Sequence, residues 1–67
     1  MTVEQGEALQ RLLEASRASG YEPTVTHTAQ TAKLLVVGLR ESSLGSERFS
    51  LVFVGLRGKV TKELISG

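Results

Sequence analysis

The sequence predicts an α+β domain: an N-terminal amphipathic helix followed by an antiparallel sheet of three to four strands. Three observations carry this expectation. Apolar residues recur at helical spacing as far as Gly20, and from Thr24 the pattern changes to short runs with β-branched residues. Two of those runs, "LLVVGLRES" at Leu34–Ser42 and "LVFVGLRGK" at Leu51–Lys59, nearly repeat one another on either side of a glycine-containing segment.

The helix is expected over about residues 3–19. Thr2-Val3-Glu4-Gln5 has the form of a capping box, in which the Thr2 hydroxyl accepts from the Gln5 backbone and the Gln5 side chain reaches back. Glu4 to Ser19 is built mostly from strong helix formers. Ala8, Leu9, Leu12, Leu13, Ala15 and Ser16 fall on one stripe at spacings of three and four. Glu7 with Arg11 and Glu14 with Arg17 add favourable surface pairs. Gly20 then supplies a left-handed stop, and Pro23 prevents the helix from resuming.

Strands are expected over about 24–30, 33–39 and 48–56. Thr24–Gln30 alternates, with Val25, His27 and Ala29 on the inward side and three threonines outward, as on a half-exposed edge strand. A helix over Thr28–Leu39 competes for the next segment, but Val36-Val37 and the likeness to the later run favour a strand. Glu41–Glu47 reads as a seven-residue loop around Gly45 that closes a hairpin. Residues 60–65 suit either a short last strand or a helical turn. Within the two V-G-L-R copies, the glycines read as strand punctuation, and antiparallel pairing sends Arg40 and Arg57 to opposite ends of the sheet.

Alternation puts Leu34, Val36, Phe49, Leu51 and Phe53 on one face of the hairpin. Leu35, Val37, Leu39, Val52, Val54 and Leu56 fall on the other, so both faces are apolar. A single helix of about 24 Å, at about 1.5 Å per residue, covers one of them. The second set, Leu35 to Leu56, is therefore expected to form an oligomer interface, with a two-fold dimer favoured. The alternative is a small curved β-barrel with an N-terminal helix, in which the sheet wraps its own second face.

Composition narrows the chemistry. A chain of 67 residues makes one domain, residues 1–67, near the lower size limit for unaided folding. It has no cysteine, aspartate or asparagine, which excludes disulfides, thiolate zinc sites, EF-hand loops and a Ser-His-Asp triad. His27 is the single histidine and is expected to be a packing residue, and no metal-ligand spacing exists, so neither metal nor cofactor is expected. Glu41, Glu47 and Glu63 show no paired spacing for acid/base work, and no enzyme is expected. The longest aliphatic run, Leu34–Val37, is far short of the ~20 residues that span a bilayer. The polar, acidic start resembles no signal peptide, so a cytoplasmic protein without membrane contact is expected.

The formal charge is +1, with an acidic first half and a mildly basic remainder. The functional expectation is a small non-enzymatic binding protein that works as a homo-oligomer, on a partner protein surface or a small ligand. The second expectation is anion, nucleotide or nucleic-acid binding through Arg40, Arg57, Gly58, Lys59 and Lys62 near a subunit interface. "GLRGK" misses the P-loop pattern at Phe53 and Val60, leaving a glycine-flanked turn that offers backbone N–H groups and two cations to an anion. Nucleic acid is the less favoured ligand, because the one helix is acidic and both phenylalanines read as core.

Overall fold

The computed structural model describes all residues, Met1–Gly67. Helix α1 (Val3–Ala18) leads into strands β1 (Glu22–Gln30), β2 (Leu34–Ser43), β3 (Ser46–Gly55) and β4 (Val60–Ser66). The strands form one antiparallel meander in the order β1-β2-β3-β4. The α+β expectation holds, residues 60–65 belong to a strand, and the sheet is open rather than closed into a barrel. Helix α1 is not long and apolar enough to cross a membrane.

The capping box forms as its residues dictate. Gln5 N donates to Thr2 Oγ1 at 3.1 Å and Thr2 N donates to Gln5 Oε1 at 2.9 Å. The same pair fastens the helix to the sheet. Thr2 Oγ1 donates to the Leu56 carbonyl at 2.9 Å, and the buried Gln5 Nε2 donates to the Val54 carbonyl at 3.0 Å. Gly58, at φ 90°, lets the β3–β4 turn close on this end of the helix; a Cβ there would lie 3.2 Å from the Glu4 carbonyl oxygen.

Two local expectations are corrected, and a turn that the sequence leaves unmarked is explained. The seven-residue loop is a tight two-residue turn, Leu44-Gly45, with both φ angles positive at 44° and 83°, so the strands run on through Ser43 and from Ser46. The β1–β2 turn, unmarked by glycine or proline, is held by Thr31. Its Oγ1 accepts from Leu34 N at 2.9 Å, while Thr31 N donates to the Leu34 carbonyl at 2.8 Å. In β1 the alternation breaks at a bulge between Val25 and His27. Val25 pairs with Leu39 on the helix side, but His27 pairs with Gly38 and is exposed on the opposite face, not inward.

The largest correction concerns which face the helix covers. Leu35, Val37 and Leu39 of β2 and Val52 and Val54 of β3 are all at most 2 % exposed. With Ala8 they form the core, closed by Leu9, Leu12 and Leu13 of α1. These five residues were expected at an interface between subunits; within the chain they are already buried. Leu56, the sixth, lies in the β3–β4 turn and is 44 % exposed. The face left without a cover is the other one.

Leucine carries a branched side chain that disfavours a left-handed backbone, a penalty of about 1 kcal/mol or more that asparagine largely escapes. Leu44 is fully exposed, so nothing is lost from the core by replacing it. Leu44→Asn is expected to raise unfolding stability by about 1 kcal/mol in urea titration. A neutral or destabilising effect would mean the turn is not strained.

Candidate functional site

Cross-strand register defines the uncovered face as three successive rows. Thr24, Arg40, Phe49 and Ser66 form the first; His27, Gly38, Leu51 and Glu63 the second; Ala29, Val36, Phe53 and Thr61 the third. Leu34 extends β2 beyond them, opposite Gly55. The centre is apolar: Val36, Leu51 and Phe53 are half-buried by their neighbours, and Leu34 and Phe49 are each 37 % exposed. Ile65, displaced by a bulge in β4, adds a further exposed aliphatic group.

This face is not flat. A depression of about 330 Å³ is lined by Thr26, His27, Phe49, Leu51 and Ile65, with Gly38 among its residues. Gly38 carries no side chain; a Cβ there would stand 2.7 Å from Thr26 Oγ1, so that hydroxyl would have to turn away to admit one. His27 Nδ1 lies 3.3 Å from that same hydroxyl. The strongly polar groups sit at the margins, with His27 on edge strand β1, Glu63 on edge strand β4 and Arg40 near the Leu44-Gly45 end.

Within one chain, the five residues expected to bind a ligand near a subunit interface are not brought together. Arg40 pairs with Phe49 in register and its guanidinium lies 3.8 Å from Glu47. Arg57, Gly58 and Lys59 lie in the β3–β4 turn, beyond the opposite end of β2, where Leu34 meets Gly55. Lys62 is committed elsewhere: its Nζ donates to Glu41 Oε1 at 2.9 Å.

That contact belongs to a polar cluster that pattern reading missed. Glu41 lies on the helix face of β2 and is 1 % exposed. It accepts from Arg48 Nε at 3.1 Å, from Lys62, and from the Ser16 hydroxyl of α1. The Arg48 guanidinium also lies over the Tyr21 ring, 4.1 Å from its centroid. Burial pushes the Glu41 carboxyl up, but hydrogen bonds from Arg48, Ser16 and Lys62, with the Lys62 charge, outweigh it and hold the pKa at about 2. A small hollow beside the cluster holds the unpartnered, buried Ser50 hydroxyl, but both cations in its wall already serve Glu41. The cluster ties α1, β2, β3 and β4 together and has no acid or base free to act on a substrate.

Compared with protein-family models, curated proteins and solved structures, the chain has no significant match.

A carboxylate held at about 2 in the folded chain and near 4.3 when unfolded makes stability depend on acid. The contribution is fully present above the unfolded value and is lost as pH falls through the folded one. Its size is on the order of 3 kcal/mol. Urea midpoints measured from pH 6 down to pH 2 are expected to fall across this window for the native chain. Glu41→Gln is expected to start less stable and to lose less across the same range. Parallel curves for the two proteins would show that Glu41 does not carry the effect.

Proposed function

We propose that the chain is a small non-enzymatic binding protein that works as a homodimer, two copies closing over their uncovered sheet faces. The single observation that carries this reading is a four-stranded sheet with helix on one side and an open apolar centre on the other. Patches of this kind on a small domain mark sites of association.

The size of the face supports a second copy as its cover. Four strands about 4.8 Å apart, with about seven residues each at about 3.3 Å, present roughly 450 Å² per copy. Two copies bury roughly 900 Å² before side-chain relief is counted, close to the ~1,000 Å² expected of a specific interface. Pairing along the sheet edges is the weaker route. Both edge strands carry a bulge, between Val25 and His27 in β1 and opposite Phe49 and Ser50 in β4, and Pro23 removes a donor from β1. The resulting assembly is a helix–sheet–sheet–helix stack. The outer faces of both helices, with Glu7, Arg11 and Glu14 exposed, remain available to a partner protein.

Light scattering during size-exclusion chromatography at low micromolar concentration is expected to give twice the 7.2 kDa chain mass. Leu51→Glu is expected to weaken association at least about tenfold while leaving a cooperative thermal transition. Val52→Glu, one residue along the strand and facing the helix, is expected to unfold the chain instead. A monomeric native chain, or a Leu51→Glu variant that dimerises normally, would overturn the proposal.

A further inference from the structure

Resting on the sheet-face dimer proposed above, we infer that the two copies are related by a two-fold axis running parallel to the strands, which seats Leu51 of each copy over Gly38 of the other and places His27 opposite the second copy's Glu63.

Face-to-face sheets pack with strands nearly aligned, so a two-fold axis between them runs either along the strands or across them. The three rows of the open face decide between these. An axis along the strands keeps each row at its own height and reverses its order. The second row, His27-Gly38-Leu51-Glu63, then meets Glu63-Leu51-Gly38-His27 of the second copy.

Each of those apositions is favourable. Leu51, the apolar projection at the centre of the face, meets Gly38, the residue without a side chain in the three rows, beside a depression of about 330 Å³. The His27 imidazole on β1 meets the Glu63 carboxylate on β4, an N–H donor opposite an acceptor, and both pairs form twice in the symmetric dimer. In the neighbouring rows Phe53 meets Val36, and the Arg40 guanidinium meets the Phe49 ring. The face matches its own reversed copy in shape and in its polar pairs.

An axis across the strands gives a poorer match. It stacks β1 on β1 and β4 on β4, so Glu63 faces Glu63 and Leu51 faces Leu51, while depression lies over depression. It also lays the Arg40 row over the Phe53 row, burying a cation against Val36.

The absence of cysteine makes this geometry directly readable, because any introduced thiol is unique. His27→Cys and Glu63→Cys chains are prepared separately, checked by light scattering, then unfolded together, refolded and treated with a short bismaleimide. The strand-parallel axis requires a covalent dimer from the mixture and little from either variant alone, since each residue faces the other type across the interface. Ala29→Cys with Thr61→Cys, from the next row, is expected to behave the same way and covers the case in which losing the His27–Glu63 pair loosens the first set. Covalent dimer from His27→Cys alone, with no gain on mixing, would place the axis across the strands and overturn this inference while leaving the dimer intact. A native chain that light scattering shows to be monomeric would overturn the dimer itself.

Discussion

A single helix lies against a sheet that is apolar on both sides, and everything else about this chain depends on which side it takes. Hydrophobicity alone does not choose: Leu35, Val37, Leu39, Val52 and Val54 on one face are matched by Leu34, Val36, Phe49, Leu51 and Phe53 on the other. The choice is made by polar anchors at the two ends of α1. At its start, Gln5 spends its amide on the Val54 carbonyl while its oxygen completes the cap. Near its end, Ser16 donates to Glu41. Both anchors point to the helix side, and with the helix on the opposite face neither would find its partner.

Glu41 makes this choice hard to reverse. A buried carboxylate left without donors is costly, on the order of 3–5 kcal/mol when one partner of such a pair is removed. Its three side-chain donors come from α1, β3 and β4, so all must be in register before the charge is satisfied. A one-residue slip of β2 would turn Glu41 to the open face and send Arg40 under the helix. The ionic cluster specifies a register that aliphatic packing, being nearly equivalent on both faces, leaves undecided.

The sequence is most transparent where the determining contacts are local. The capping box at Thr2-Gln5, the stop at Gly20 and the alternation of β3 are set by neighbours a few residues apart, and each is legible. The two sets of face residues are legible too, because period two fixes them. The covered set is not, since Gln5–Val54 and Ser16–Glu41 join residues far apart in sequence. Turn chemistry is misleading in two of the three hairpins: Leu44 adopts a backbone that the usual residues at that position would have announced, and Thr31 does with its hydroxyl what glycine or proline does elsewhere. Register keeps Arg40 and Arg57 at separate ends, as antiparallel pairing leads one to expect, but nothing local in the sequence announces that Glu41 claims Lys62.

The β1 bulge links the fold to the face it leaves open. Without it, unbroken alternation from Val25 would point His27 to the helix side, as the sequence pattern suggests. The extra residue turns His27 outward and sets the Thr26 hydroxyl 2.7 Å from where a Cβ on Gly38 would lie. The two V-G-L-R copies are therefore not equivalent. Gly55 ends β3 at a turn, its N–H donating to the Lys59 carbonyl, while Gly38 stands mid-strand beneath the bulge. One inserted residue thus blunts the β1 edge against strand pairing, leaves the centre of the sheet without a side chain, and sets a basic group beside that gap. The last two of these are features on which the proposed pairing of the open face with a second copy rests.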